Sequence, residues 1–299
     1  MAISFSLTPA KAPVVRAPLN RNYWLLVLRR VRRDPVAVIA ALAILLIVVA
    51  AVFAPWLAPA DPYKGSMIHR LLHIGSPGSL LGTDELGRDM ITRLMYGGRL
   101  SLLMGVLPVL FAFFIGTSIG LFAGYIGGRF NMLTMRVLDV FYAFPSVLLA
   151  VAISGALGPG MTNSIIALTL IFVPQVVRIA ESVTTQVRKL DYIEAARMSG
   201  ASSFSIIRVH VLGNVLGPIF VYATGLISVS LILGSGLSFL GLGVKPPEPE
   251  WGLMLNTLRG AIYNNPWVAA LPGLFIFVTS IAFNLLADSV RSAMDTSDA

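Results

Sequence analysis

Five long stretches of the chain contain no aspartate, glutamate, lysine or arginine. They cover residues 35–60, 100–128, 140–177, 209–244 and 260–287. A helix needs about 20 predominantly apolar residues to cross the hydrocarbon core of a bilayer, and each stretch is longer than that. The sequence therefore predicts a protein whose chain crosses a membrane several times.

The third stretch is interrupted by Gly155, Gly158, Pro159 and Gly160. Glycine and proline at this density end a helix, so we expect this stretch to hold two spans. Each of the other four stretches holds one span. The fold class that follows is an all-α, polytopic membrane protein with six transmembrane helices. The predicted spans lie near 36–57, 101–126, 132–154, 163–183, 216–238 and 267–288.

Composition supports this class and excludes others. Charged residues make up 12% of the chain, whereas soluble domains carry about 25%. The chain also contains no cysteine. An ordinary soluble enzyme, a disordered chain and a disulfide scaffold are therefore excluded. The net charge of +8 is compatible with nucleic-acid binding. However, the basic residues flank apolar spans and form no nucleic-acid-binding motif, so we expect no nucleic-acid partner and a lipid bilayer instead.

The distribution of basic residues predicts the orientation. Segment 1–35 contains seven Lys/Arg residues and one acidic residue, Asp34. Basic segments stay in the cytoplasm, and an even number of spans returns the chain to the side on which it began. We therefore expect both termini in the cytoplasm, with 1–35 as a basic cytoplasmic segment and 36–299 as the transmembrane domain. This topology places 15 of the 22 Lys/Arg residues on the cytoplasmic side.

The longest predicted cytoplasmic connection is the loop 184–213, which has the pattern of two short helices. Asp191 is a suitable N-cap, and Glu194 follows three residues later. Glu194 can pair with Arg197 along one helix face. Gly200 suits a left-handed position at the end of the first helix. Ser202 or Ser203 can cap the second helix.

The first of these helices is too short to be stable alone in water. Ala195 and Ala196 allow another surface to approach its backbone closely, and Glu194 gives such a contact a charge. From spacing alone, two interpretations remain open. The helix either docks on a partner protein or lies on the membrane surface and joins two spans.

The sequence Glu194-Ala195-Ala196, with Gly200 and Leu212 after it, resembles the EAA loop of ABC importer permeases. In that family the loop forms a coupling helix that sits in a groove of the ATPase subunit. The family pattern has proline where this chain has Gly213 and favours an aliphatic residue at His210. The resemblance implies a set of ATPase-coupling residues, namely Asp191, Tyr192, Glu194, Ala195, Ala196, Arg197 and Gly200.

Four other segments resemble the dipeptide/oligopeptide/nickel branch of that family. They are 81–90 (LGTDELGRDM), 136–145 (RVLDVFYAFP), 241–252 (GLGVKPPEPEWG) and 282–288 (AFNLLAD). The matches occur in order across about 260 residues. The chain length and the single external loop after span one resemble the second permease subunit of such a system.

The resemblance implies a type I ABC importer permease fold in a bacterial inner membrane. It also implies a second, related permease, two ABC ATPase subunits and an extracytoplasmic solute-binding protein as partners. ATP and Mg²⁺ would lie on the ATPase subunits, because this chain contains no G-x-x-x-x-G-K-[ST] loop. Its three histidines, His69, His73 and His210, form no metal-ligand pattern, so we expect no cofactor on this chain. The solutes would be short peptides or similar compounds, including glutathione, opines or nickel chelates.

Two other classes remain as alternatives. A secondary transporter or channel not driven by ATP would need ionisable groups near the middle of the membrane. Asp139 and Asp288 lie near span ends instead. An intramembrane enzyme would need a nucleophile with a base, or a cluster of metal ligands, and the spans contain neither pattern.

Two groups inside the predicted spans could line a pathway or serve packing. Arg136 and Asp139 lie three residues apart, and we favour a neutralising pair over a pathway contact. Span five carries four serines in a glycine-rich context, and for these we favour close helix packing over a pathway at the axis between two permeases. The serines are Ser228, Ser230, Ser235 and Ser238.

The external segment 58–98 predicts one further element. Residues 82–84 (GTD) can cap a helix over 85–95, in which Leu86, Met90 and Leu94 recur at helical spacing. This pattern indicates an amphipathic helix lying on the bilayer. We favour a structural cap on span two over a contact with the binding protein.

Overall fold

The computed structural model describes residues 23–294. The predicted cytoplasmic residues Lys11, Arg16 and Arg21 lie outside this range. The described residues contain 12 α-helices. They are α1 (Tyr23–Arg33), α2 (Pro35–Val52), α3 (Ala54–Leu57), α4 (Met90–Ile126), α5 (Gly128–Tyr142), α6 (Ser146–Leu157), α7 (Met161–Arg188), α8 (Asp191–Met198), α9 (Ser203–Ile206), α10 (Leu212–Phe239), α11 (Trp251–Thr257) and α12 (Pro266–Met294).

Five membrane-spanning candidates are long and apolar enough to cross a bilayer, namely α2, α4, α7, the helix that runs from Ser203 to Phe239, and α12. A sixth span arises if α5 and α6 are counted together, although they meet at an angle of 85°. The predicted continuous span at 132–154 is therefore bent. The bend lies at Pro145, which lacks an N–H group and disfavours helical geometry at Phe144 before it.

The predicted external helix over 85–95 is wrong in its first part, whereas residues 90–95 are helical and belong to α4. Residues 82–89 form a loop, in which Asp84 accepts a hydrogen bond from Arg88 Nε at 2.6 Å and lies 3.1 Å from Arg93 Nε. Gly87 has a φ of +73°, which a helix cannot contain. Asp89 then caps α4 by accepting a hydrogen bond from the N–H of Thr92. The helix of span two therefore begins at Met90 and not at the predicted residue 101.

Two long helices have their last carbonyl oxygens bound by an arginine side chain from a neighbouring helix. The Arg99 guanidinium donates to the carbonyl oxygens of Ala51 at 2.6 Å and Val52 at 2.7 Å, at the end of α2. Arg188 donates to the Tyr125 carbonyl at 2.8 Å, near the end of α4. The last carbonyls of a helix have no partner within the helix, and cations are favourable there. These charges therefore stabilise span ends, and they explain why helices continue beyond the uncharged stretches.

The centre of the bundle is the packing of α4 against α7, where three glycines of α4 face α7. A Cβ atom built on Gly120 would lie 2.5 Å from the Val177 carbonyl oxygen. Equivalent atoms on Gly116 and Gly124 would lie 2.7 Å from α7 atoms. Small residues at four-residue spacing allow two membrane helices to approach at backbone distance. The two helices therefore form one tightly packed unit.

The beginning of α11 is joined to α4 through Glu250, which is fully buried. Its carboxylate caps α11 by accepting hydrogen bonds from the N–H groups of Gly252 and Leu253, and it accepts another from Ser101 of α4 at 3.0 Å. Burial raises the pKa of this carboxyl group, while these donors act in the opposite direction. The indole of Trp251 also donates to the Leu94 carbonyl at 2.9 Å. These bonds fix α11 to α4.

Candidate functional site

The first short helix predicted in the loop 184–213 is present as α8, which lies between the end of α7 and the start of α9. Leu190 occupies the N-cap position, so Asp191 is the first helical residue and not the predicted cap. Asp191 and Glu194 both lie in the first turn of α8. Negative charge is favourable there because the free N–H groups of a helix make its beginning electropositive.

The end of α8 has the hydrogen-bond pattern of a Schellman motif. Gly200 adopts a φ of +80°, as predicted. Its N–H donates to the Arg197 carbonyl at 3.1 Å, and the N–H of Ala201 donates to the Ala196 carbonyl at 3.2 Å. This motif satisfies the last carbonyls of a helix and favours glycine at the left-handed residue. A short loop then leads to Ser202, which caps α9.

One face of α8 is anchored to the bundle. Ile193 is fully buried and belongs to the same apolar cluster as Val187 of α7 and Val211. The Tyr192 hydroxyl accepts a hydrogen bond from the Asn214 side chain at 3.1 Å, and its ring lies 6.3 Å from the His210 ring. Burial raises the pKa of the Tyr192 phenol. His210, which departs from the family pattern, therefore contributes to the anchoring of α8.

The other face of α8 is open. Glu194, Ala195 and Arg197 are exposed, and Met198 has 89% of its surface accessible. Phe204 at the start of α9 is 69% exposed. Apolar side chains grouped with charged ones on an exposed surface are typical of protein interaction sites. We call Glu194, Ala195, Arg197 and Met198 the α8 face. The sequence did not single out Met198 or Phe204.

Ile193→Ala should release α8 from the bundle. Truncating a fully buried aliphatic side chain costs about 2–5 kcal/mol, which is large compared with the stability of an isolated two-turn helix. We expect trypsin to cut after Lys189 or Arg197 at least about tenfold faster in inside-out vesicles, since 1.4 kcal/mol is a factor of ten. Met198→Ala removes a side chain of the exposed face and should leave the digestion rate unchanged. Equal rates for all three chains would show that Ile193 does not hold α8.

Both ends of α8 are joined to long helices. Arg188, which holds the end of α4, is the last residue of α7 and lies three positions before α8. After α8, the helix that begins at Ser203 passes through a π-helical turn at Ile207–Val211 and continues to Phe239. The second predicted short helix is thus the start of span five, and Gly213 lies inside it without a break. A displacement of α8 would therefore be transmitted along the chain to α7 and α10, and through Arg188 to α4.

The predicted pair between Arg136 and Asp139 does not form. Asp139 instead lies 3.0 Å from Arg178 of α7, and both side chains are half exposed. The Arg178 guanidinium also lies 4.4 Å from the Tyr142 ring centroid. Arg136 is exposed, with no ion-pair partner among residues 23–294. The ion pair therefore joins α5 to α7 and does not neutralise charges within one helix.

The four serines of span five divide into two pairs. Ser230 donates to the Met104 carbonyl at 3.0 Å, and Ser238 accepts from the N–H of Val244 at 3.3 Å. These two hydrogen bonds join span five to α4 and to the segment that follows it. Ser228 and Ser235 instead line a cleft beside α12.

Several residues of structural importance were missed by the sequence reasoning. Gly116, Gly120 and Gly124 form a G-x-x-x-G-x-x-x-G pattern, which could have been read directly as a helix-packing motif. The roles of Arg188 and Glu250 depend on partners far away in the chain, and no local signal indicates them. Within the described residues, no group of three His, Cys, Asp or Glu side chains could hold a metal ion.

Comparison with protein families gives two matches. Residues 116–296 match the model described as a binding-protein-dependent transport system inner membrane component. Residues 22–73 match the N-terminal transmembrane domain of oligopeptide transport permease C.

Individual proteins show the same similarity over nearly the whole chain. A glutathione transport system permease protein from Pectobacterium atrosepticum is 41% identical over 286 residues, which cover 96% of this chain and 95% of that protein. A di/tripeptide transport system permease protein from Pseudomonas aeruginosa is 43% identical over 259 residues, covering 85% and 86%.

A solved structure has a similar fold. The inward-facing MetNI methionine ABC transporter contains a chain that matches with a TM-score of 0.55 and 19% sequence identity. The match covers 68% of this chain and 97% of that chain. At this identity the match concerns the fold alone.

Proposed function

Because the chain belongs to the family of binding-protein-dependent transport system inner membrane components, we propose that it forms half of the translocation pathway of an ATP-driven importer of short peptides. Its role as a multi-pass permease subunit follows from the family. The proposal adds the substrate class, the composition of the assembly and the coupling residues.

The observation that carries the proposal is the arrangement of α8. This helix is anchored on one side by Ile193 and Tyr192 and exposes Glu194, Ala195 and Met198 on the other. Such a helix offers a partner a rigid surface whose position is linked to three long helices. The α8 face therefore suits a groove in an ATPase subunit, with the coupling residues Asp191, Tyr192, Glu194, Ala195, Ala196, Arg197 and Gly200.

The proposed cycle is alternating access. ATP draws two ATPase subunits together, and the coupling helices of this chain and of a second, related permease move with them. The pathway then opens outward to receive solute from an external binding protein, and hydrolysis resets it. The chain contributes two packing arrangements of its helices and no chemical step, since ATP and Mg²⁺ bind to the ATPase subunits.

The orientation that we propose places both termini in the cytoplasm. Four arginines of α1, namely Arg29, Arg30, Arg32 and Arg33, precede span one. Arg188, Lys189 and Arg197 lie around α8, at the same end of the bundle as the carboxyl-terminal end of α4. Basic residues gather on the cytoplasmic side of membrane proteins. This orientation puts α8 where cytoplasmic ATPase subunits can reach it.

Substrate class is proposed from the named relatives, which transport glutathione or di- and tripeptides. Glutathione is itself a tripeptide, so the shared chemistry is a short chain of amide groups with terminal charges. We expect purification of this permease from its own membranes to recover two ATPase subunits and a second permease. Reconstituted with its binding protein, the complex should take up a dipeptide or glutathione only when ATP is present. A secondary transporter would purify without ATPase subunits, and uptake without ATP would contradict the proposal.

A further inference from the structure

A cleft with a volume of 660 Å³ lies between α10, α11 and α12. Most of its lining is apolar, with Ile232 and Ile276 among the contributing side chains. Leu255 of α11 forms part of its wall. The cleft also contains polar side chains from both long helices, namely Ser228, Ser235, Ser280 and Asn284.

Two hydroxyl groups in this cleft lack partners. Ser235 and Ser280 are each only 5% exposed. Their oxygen atoms make no hydrogen bond within the described part of the chain. Ser228, by comparison, donates to the Gly225 carbonyl at 2.8 Å. A buried hydroxyl without a partner is unfavourable, above all at a depth where water is scarce. Because both serines line the cleft, a polar occupant there can supply the acceptors that the described part of the chain does not.

The polar lining continues from the cleft along α12. Ser280, Asn284 and Asp288 are spaced by four residues, so they lie on one helix face. The Asn284 amide donates to the Asp288 carboxylate at 3.4 Å, and both side chains are exposed. This row leads from the middle of α12 to the end that the proposed orientation places in the cytoplasm. A polar solute leaving the cleft would therefore meet polar groups along that helix.

We infer that this cleft is a section of the translocation pathway, in which Ser235 and Ser280 donate hydrogen bonds to the carbonyl or carboxylate oxygens of a passing peptide. Each serine hydroxyl can donate one hydrogen bond, and a peptide carries an acceptor at every residue. Two hydroxyl donors without partners on a mostly apolar wall hold such a solute weakly, as transit requires. The inference rests on the proposed function, from which it takes the substrate class.

Two other occupants make different predictions. A lipid acyl chain has no acceptor and would leave both hydroxyls unpaired. A helix of the second permease could supply acceptors, but it would seal the cleft against water. Accessibility to water therefore separates a pathway from both alternatives.

The absence of cysteine from the chain allows a direct accessibility test. Ser235→Cys and Ser280→Cys are introduced singly, and the complete transporter is treated with a membrane-impermeant, cationic thiosulfonate from either side. Ser154→Cys is the matched control, since Ser154 lies on α6, is fully buried and also has an unpartnered hydroxyl. We expect both cleft cysteines to react at least about tenfold faster than the control, because a thiol sealed in apolar surroundings does not ionise readily. Reaction no faster than that of the control would overturn the inference.

Measurements of peptide uptake test whether Ser235 and Ser280 act as hydrogen-bond donors. In the complete transporter, the Ser235→Ala/Ser280→Ala double variant should lower peptide uptake about fivefold or more, which is the loss expected for two modest hydrogen bonds. Ser154→Ala should transport normally, and ATP hydrolysis without substrate should be equal in all three. If the natural transporter takes up peptide and the double variant equals it, the donor assignment is overturned while the proposed function stands. If the natural transporter takes up no peptide, the proposed substrate class fails, and thiol reactivity still decides whether the cleft is a pathway.

Discussion

A chain carrying both Glu194→Lys and Gly200→Asp should assemble in the membrane and yet support less than about a tenth of the natural uptake, because misplaced charges in an interface cost several kcal/mol. Glu194 lies in the electropositive first turn of α8, and a lysine there opposes the helix dipole. No atom lies within 4 Å of a Cβ built on Gly200, but its φ of +80° strains any residue with a side chain, so part of the loss can arise within this chain. The loss beyond that of the uncharged variants would arise at the surface of a partner, while ATP hydrolysis continues without transport.

Two single variants separate the effect of the charge at Glu194 from the effect of the backbone conformation at Gly200. Gly200→Asn keeps a residue that tolerates the left-handed conformation at φ +80° and adds no charge. Glu194→Gln removes the charge without reversing it. Both should retain more uptake than the double variant. Measurements of uptake and ATP turnover in the same proteoliposomes would reveal the uncoupling, and full transport by the double variant would refute the coupling role of α8.

Gly120→Leu should prevent the permease from folding. Its Cβ alone would lie 2.5 Å from the Val177 carbonyl and 2.6 Å from the Ala180 side chain, so α4 and α7 would have to separate. Overpacking a core usually costs about 1–3 kcal/mol, and contact with a rigid backbone places this case at the upper end or beyond. We expect no monodisperse complex by size-exclusion chromatography in detergent, and a lowered melting temperature already for Gly120→Ala.

Gly155→Ala is the matched control for Gly120→Ala. Gly155 lies within α6, and a Cβ built there meets no atom within 4 Å. Alanine is favoured over glycine in a helix by about 0.5–1 kcal/mol, so this variant should be as stable as the natural chain or slightly more so. If Gly120→Leu gave a natural elution profile and melting temperature, the close approach of α4 and α7 would be incorrect.

The positions of the long helices could be predicted because charge is costly in a bilayer. The uncharged stretches located α2, α10 and α12 closely, and family resemblance identified α8. Helix ends were less predictable, since Arg99 and Arg188 lie within α4 and α7 and stabilise the carbonyl ends of neighbouring helices. A charge with a partner of this kind no longer marks the end of a span.

Contacts between distant residues account for the remaining differences. Asp139 pairs with Arg178, which is 39 residues away, and sequence spacing offered the nearer Arg136. The helix over 85–95 is predicted because Leu86, Met90 and Leu94 share helical spacing, but residues 85–89 lie in a loop. The left-handed turn at Gly87 and the hydrogen bonds between Asp84 and Arg88 hold this segment in a loop instead. Which ion pairs and turns form depends on contacts in the folded protein, and local sequence patterns do not reveal those contacts.

Cross-linking from Met198 tests the coupling role of α8 most directly. Met198→Cys gives the chain a single thiol on the α8 face, and Ile68→Cys gives one on the predicted external side, where Ile68 is 90% exposed. With a short thiol-reactive photocross-linker in native membranes, we predict that Met198→Cys forms an adduct with an ATPase subunit and that Ile68→Cys does not. If a complex containing ATPase subunits gave no such adduct from Met198, or an equal yield from Ile68, the proposed function of α8 would be contradicted.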